Sequence, residues 1–157
     1  MGTATRTAAV ILTVLASTLA LTGCNAVAPT RDADGRVVAT ISMPSTEMVV
    51  GDCFSFVDGS NHAMASVTPC AEEHSYIVIG QGSLTEQAVT DAGSMQNAVS
   101  AACTEPFGTF VSTVAEGTKP EQEFIVSKPE DSKATNYSCL ATDTAMVDAA
   151  PTPPPAG

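Results

Sequence analysis

The chain has 157 residues, of which 17 are acidic and six are basic, so its net charge at pH 7 is −11. Such an acidic balance excludes a nucleic-acid partner or an anionic lipid surface recognised through Lys and Arg. Aromatic residues make up only 4% and Trp is absent, so a small domain built from this chain is expected to need covalent cross-links as well as an apolar core.

The first 23 residues have the pattern of a secretory signal peptide. Arg6 is followed by an apolar run over residues 8–21, which is too short to span a bilayer. The run closes with Leu-Thr-Gly-Cys at residues 21–24, the pattern at which bacterial lipoprotein precursors are cut and acylated. We therefore predict a signal peptide over residues 1–23, lipidation of Cys24, and a mature protein held by its lipid at the extracytoplasmic face of the cell membrane. Two or three acyl chains, at about 0.8 kcal/mol per buried CH2, anchor a protein stably.

A competing cleavage site lies just beyond the cysteine. Ala-Val-Ala at residues 26–28 fits ordinary secretion, but Pro29 follows it directly and has no backbone N–H. Cleavage before Cys24 removes Arg6 and none of the acidic residues, which leaves a mature net charge near −12.

Residues 24–45 are predicted to form a flexible tether. The segment is rich in Ala, Pro, Thr and Asp, and Asp-Ala-Asp-Gly at residues 32–35 predicts a turn, because the later ligands of a calcium loop are missing. The β-branched run at residues 37–41 indicates that the tether ends in a strand that joins the sheet of the domain. As a coil of about 20 residues, the tether would hold the domain roughly 25 Å from the lipid.

The domain proper is predicted over residues 46–147. Short apolar or β-branched runs bounded by turn residues predict strands at residues 48–50, 54–57, 65–67, 76–79, 123–127 and 136–141. Gly-Gln-Gly at residues 80–82 is expected to end the fourth of them. The fold class is therefore α+β, with one main helix packed on an antiparallel sheet.

The helix is expected to begin at a capping box formed by Ser83 and Glu86. Apolar residues then recur every three or four positions and define an inward face: Ala88, Ala92, Met95, Val99 and Cys103. Pro106 is expected to bend or end the helix.

Four cysteines remain after Cys24, an even number in an exported chain, which predicts two disulfides. Three pairings are possible. We favour Cys53 with Cys70 and Cys103 with Cys139, because pairs close in sequence form the smaller loops. The last ten residues, 148–157, are Pro-rich and of low complexity, and are predicted to be disordered.

The chain contains Gly51-Asp52-Cys53, then Pro69-Cys70 with His74 four residues on, and later Cys103 and Cys139. These motifs together resemble the septum-formation domain of actinobacterial membrane proteins and lipoproteins. The match covers residues 48–141, although the chain has no Trp before its last cysteine. The resemblance implies an extracytoplasmic module linked to division septa, without an established reaction.

No catalytic set is evident, and we predict that the protein is not an enzyme. There is no G-x-S-x-G motif, and the cysteines are expected to be paired. His74 beside Glu72 and Glu73 is the best acid and base candidate, and it supports the alternative of a hydrolase that acts on the cell wall. The competing interpretation is that His74 bonds backbone beside the first disulfide, and that Asp52 bonds backbone amides in the bend before Cys53. Without a C-x-x-C knuckle, neither a metal nor another cofactor is expected.

Three function classes remain. The first, which we favour, is a membrane-anchored lipoprotein that binds or scaffolds without catalysis, with an envelope protein, a division protein or a wall polymer as partner. The second is the hydrolase. The third is a receptor for a soluble ligand, for which about 100 residues with one helix leave little room.

Overall fold

The computed structural model describes residues 28–129 and 132–142. The predicted signal peptide, Cys24 and the Pro-rich tail lie outside these ranges. The described elements are the strands β1 (Ile41–Pro44), β2 (Cys53–Phe56), β3 (Met64–Thr68), β4 (Tyr76–Thr85), β5 (Glu121–Ser127) and β6 (Ala134–Thr142), and the helices α1 (Glu86–Asp91) and α2 (Met95–Val111). A 3₁₀ turn, Ser45–Glu47, follows β1.

All six strands form one antiparallel sheet in the order β1-β3-β2-β4-β6-β5. The long helix α2 packs on β4, β5 and β6. The predicted fold class, one main helix on an antiparallel sheet stapled by disulfides, is confirmed.

A single apolar cluster on the helix-free face of the sheet takes side chains from every strand, and the sheet curls around it, since Ser45 next to β1 and Ile125 of β5 line one groove. Met43 of the edge strand β1 and Ile125 of the opposite edge strand β5 both belong to this cluster. Its fully buried centre consists of Met48, Phe54, Val67, Val78 and Leu140. Each Å2 of apolar surface that is buried contributes about 25 cal/mol to the free energy of unfolding. This cluster is therefore the main source of stability in that half of the domain.

On the other face of the sheet, α2 covers the half formed by β4, β6 and β5. The disulfide between Cys103 and Cys139 joins the middle of the helix to β6, and the disulfide between Cys53 and Cys70 joins the start of β2 to the loop after β3. Both predicted pairings are therefore present. Their loops of 17 and 36 residues contribute about 3 and 4 kcal/mol in the chain-entropy model.

The segment predicted as a flexible tether is, for the most part, folded onto the domain. Arg31 and Val37 form an isolated antiparallel bridge around a tight turn. In that turn the Asp32 carboxylate accepts hydrogen bonds from the N–H groups of Asp34 and Arg36, at 3.0 and 2.9 Å. Val37 is 5% exposed and belongs to the apolar cluster. The turn was predicted correctly, whereas the tether prediction is wrong from this hairpin onward, because a buried side chain and paired backbone hold it.

The helical region also departs from expectation. Strand β4 continues to Thr85, whose hydroxyl accepts the N–H of Ala88 and caps α1, so Ser83 does not cap the helix. Ser94 caps α2 in the same way through Asn97, so the predicted single helix is two.

Pro106 lies inside α2 rather than at its end. A Cβ at Gly80 of β4 would lie 2.9 Å from the Cβ and Cγ of Pro106. Gly80 therefore does not end the strand. Its missing side chain lets the proline ring approach the sheet closely.

Candidate functional site

The Gly51-Asp52-Cys53 motif forms a bend that is hydrogen-bonded to β4. Gly51 has a φ of +95°, which a residue with a side chain rarely adopts. Its N–H donates to the carbonyl of Val78 at 2.8 Å, and the Val78 N–H donates to the carbonyl of Asp52 at 2.9 Å. Residues 48–50, predicted to be a strand, form no strand, because the Val49 N–H donates to the Asp52 carboxylate instead of to a neighbouring strand.

Asp52 is the centre of a buried ion pair. The Arg31 guanidinium binds both of its carboxylate oxygens, at 2.5 and 2.9 Å, and the carboxylate side chain is only 1% exposed. With the Val49 N–H at 2.8 Å, the carboxylate receives three hydrogen bonds. These bonds raise the pKa of Arg31 above its ordinary value, which partial burial of the guanidinium partly opposes. The expected bond from Asp52 to a backbone amide is present.

Sequence reasoning missed Arg31 as the partner of Asp52. One signal existed, because a buried carboxylate needs a cation and only five basic residues follow Cys24. The spacing of 21 residues gave no indication of which of them it is.

His74 lies beside the first disulfide and is 7% exposed. Its Nδ1 contacts the main-chain oxygen of Glu72 at 2.8 Å. The Glu72 carboxylate is engaged elsewhere, because it accepts hydrogen bonds from the hydroxyls of Thr68 and Thr40 at 2.7 and 3.1 Å. The main-chain oxygen of Pro69 accepts the N–H of Glu72 at 2.8 Å and closes the turn that holds His74 in place. This geometry matches a histidine that bonds backbone and does not form the His–carboxylate pair that the hydrolase alternative needs.

The residues of the motif thus come together as a structural corner, which comprises Arg31, Gly51, Asp52, the Cys53–Cys70 disulfide and His74. We call this region the anchor corner, since the chain enters the described domain there. Within residues 28–129 and 132–142, no group of three or more His, Cys, Asp or Glu side chains is placed to hold a metal ion.

The helix-free face of the sheet carries a groove that the sequence did not reveal. It has a volume of about 1120 Å3 and lies between the strands β4, β6 and β5 on one side and the Ser45–Glu47 turn with residues 61–63 on the other. A pocket of this size was not expected in so small a domain. It forms because the curl of the sheet places residues 45–46 and 61–63 opposite β4, β6 and β5.

The floor of the groove consists of side chains in two cross-strand rows. Strand register places Gln81 beside Ser138, and Ser83 beside Asn136. The Gln81 amide donates to the Ser138 hydroxyl and to the carbonyl of Met48, both at 2.9 Å. The Ser83 hydroxyl donates to the Asn136 side-chain carbonyl at 2.6 Å. The floor is therefore uncharged, hydrogen-bonded and fixed in orientation before any ligand arrives.

The opposite wall presents an aromatic surface. The exposed His62 ring stacks on Phe56 with ring centres 4.2 Å apart. Asn61 and His62 both have positive φ, 49° and 67°, a conformation that costs a residue with a side chain about 1 to 2 kcal/mol. The hydroxyl of Ser45 donates to the carbonyl of His62 at 2.6 Å and helps to hold this turn. The strained turn thus projects an imidazole over the groove.

A second cavity of about 660 Å3 lies next to the anchor corner. It is lined by the N-terminal hairpin at Asp34 and Gly35, by Val50, and by the face of α2 that carries Pro106 and Phe110. Its lining is more apolar than that of the groove.

Comparison of the chain with family models, with curated proteins and with solved structures finds no match. Among the residues that the structure describes, no helix has the length and apolar character needed to cross a membrane. The anchor corner and the groove are therefore the features of the described residues that bear on function.

Proposed function

We propose that this chain is a lipid-anchored lipoprotein of the cell envelope that binds a wall polymer in the groove of its curled sheet and catalyses no reaction on it. The observation that carries the proposal is the floor of the groove. Four neutral side chains, Gln81, Ser83, Asn136 and Ser138, are held on paired strands with fixed hydrogen-bond directions. Such a floor suits a ligand that is itself rich in hydroxyl and amide groups.

An uncharged polymer fits the electrostatics better than a polyanion does. The mature chain has a net charge near −12, which repels anionic wall polymers at long range. Lys128 is the basic residue that lines the groove, and its ammonium group also lies 3.7 Å from the carboxylate of Glu86. The exposed His62 ring supplies a flat surface on which a sugar ring or a peptide can pack. We therefore favour the glycan or the peptide stem of the wall over its charged polymers.

The test is co-sedimentation of the purified mature protein with isolated wall sacculi. We expect Asn136→Ala to weaken binding by about tenfold, because it removes one rigid hydrogen-bonding group. Asn97→Ala is the matched control, since Asn97 is also an exposed asparagine but lies at the start of α2 and does not line the groove. Equal binding by both variants, or no sedimentation of the wild type, would refute the groove as the polymer site.

The absence of catalysis is tested on the same material. Incubation should release no soluble sugar or peptide. If products do appear and His74→Ala stops their release while the thermal stability of the protein is unchanged, the hydrolase alternative is correct.

The link to septum formation is a second part of the proposal and rests on the motif resemblance alone. A functional copy with a tag that fluoresces outside the cytoplasm should form bands at division sites. An even distribution around the envelope would contradict a septal role and leave the polymer-binding proposal untouched.

A further inference from the structure

The position of the anchor corner limits how the domain can lie on the membrane. The carbonyl of Thr30 accepts the N–H of Val38 at 3.1 Å, and Arg31 is held by its ion pair with Asp52, so the chain is attached to the domain from Thr30 onward. Six residue steps separate Cys24 from Thr30. Even fully extended, they span no more than about 21 Å.

That length is small compared with the domain. A folded chain of about 100 residues has a radius of gyration near 13 Å and a diameter of roughly 35 Å. The connection to the lipid is shorter than the diameter of the domain, so the domain cannot turn an arbitrary face toward the bilayer. The face around Thr30 and Arg31 has to lie next to it.

This face is also the one that carries exposed aliphatic side chains. Within the described residues, large apolar side chains are notably exposed at six valines, and three of these lie next to residues of the anchor corner: Val38 at 51%, Val49 at 40% and Val50 at 52%. Val38 is hydrogen-bonded to Thr30, Val49 is bonded to the Asp52 carboxylate, and Val50 lines the apolar second cavity. Three exposed valines therefore surround the point where the lipid-bearing segment joins the domain. Their side chains are suited to contact with an apolar surface and not to contact with water.

The charges of the corner do not favour anionic headgroups. Arg31 neutralises Asp52, the hairpin adds Asp32, Asp34 and Arg36, Glu72 and Glu73 precede His74, and Glu105 lines the second cavity. The corner has no cluster of basic residues for anionic headgroups, so the contact it offers the bilayer is aliphatic.

We propose that the anchor corner is a membrane-contact surface, with Val38, Val49 and Val50 inserted at the boundary between headgroups and acyl chains. The inference rests on the proposed lipid anchor at Cys24. It also places the groove relative to the bilayer. Strand β4 runs from Val78 at the corner to Ser83 in the groove, about 15 Å farther along the strand, whereas Met48, which precedes Val49, lines the end of the groove close to the corner.

The absence of Trp from the chain allows a clean test. Val50→Trp protein, extracted from the membranes of the cells that make it, is reconstituted into phosphatidylcholine vesicles with and without bromine on the upper acyl chain. The matched control is Val126→Trp, because Val126 is 47% exposed on β5, at the groove end of the sheet. For insertion to 5–10 Å we expect bromine to reduce the emission of Val50→Trp by about half and to leave that of Val126→Trp nearly unchanged.

Flotation of the vesicles separates the two proposals. Protein that fails to float shows that there is no lipid anchor, which refutes the proposed function and removes the basis of this inference with it. Protein that floats but shows equal quenching at both positions keeps the anchor and overturns the membrane-contact surface. If Val50→Trp does not fold, Val49→Trp takes its place, with the same expected result and the same refutation.

Discussion

Replacing Arg31 by Met is expected to destabilise the domain far more than a change near its N-terminal end normally would. The substitution leaves the Asp52 carboxylate, 1% exposed, with the Val49 N–H and without the two hydrogen bonds from the guanidinium. Removing one partner of a buried ion pair costs about 3 to 5 kcal/mol. The Arg31 side chain is 21% exposed, so in the variant water can partly replace its guanidinium group. We therefore expect the free energy of unfolding to fall by about 2 to 4 kcal/mol.

The assay is chemical denaturation of the soluble domain, with thermal unfolding as a check. A loss of this size lowers Tm by roughly 8 to 16 °C in a domain of this length. Asp52→Asn alone and the double variant Arg31→Met/Asp52→Asn complete a double-mutant cycle. The double variant should be more stable than Arg31→Met, because it has no uncompensated buried charge. A loss in the free energy of unfolding below about 0.5 kcal/mol for Arg31→Met, with additive effects in the cycle, would show that the ion pair does not hold this segment to the domain. Such a result would favour the flexible tether.

Three further predictions test the packing. Cys103→Ala/Cys139→Ala should reduce the free energy of unfolding by about 4 kcal/mol, measured by urea denaturation, and a loss under 1 kcal/mol would contradict the constraint on a loop of 36 residues. Gly80→Ala should cost about 1 to 3 kcal/mol, since its Cβ meets Pro106 at 2.9 Å, and Gly80→Ala combined with Pro106→Ala should recover part of that loss. Burial, followed by the charge of a glutamate on β5, raises the pKa of Tyr76, so the folded state prefers the neutral phenol. That stability is present below pH about 10 and is lost as the pH rises through the folded-state pKa, so Tyr76→Phe should flatten the alkaline limb of a plot of stability against pH.

Much of the fold could be predicted because its strands are short β-branched or aromatic runs between turn residues. The run over residues 48–50 was misread for a local reason. It is as apolar as a strand, but the Asp52 carboxylate three residues later binds the Val49 N–H and favours a bend. Strand pairing overrode turn propensity at Gly80, where β4 continues along β6 to Thr85.

The candidate site was harder to predict than the fold. The corner motif was singled out from sequence, and His74 and Asp52 contact backbone groups, whereas the Glu72 carboxylate bonds the hydroxyls of Thr68 and Thr40. The groove was missed because its floor comes from two strands far apart in sequence, β4 and β6, each with ordinary small polar residues, and only the register sets Ser83 beside Asn136. Nothing in a local window distinguishes such residues from those on a solvent-exposed face.

The most direct test of the central claim is the intact mass of the protein extracted from the membranes of the cells that make it. We expect a chain that begins at Cys24 and carries the added mass of a diacylglyceryl group, with or without a further acyl chain. The same extraction of a Cys24→Ala variant should yield no acylated chain. A wild-type mass that corresponds to an unmodified chain starting at Pro29, or to one that retains residues 1–23, would contradict the lipid anchor and with it the orientation of the domain.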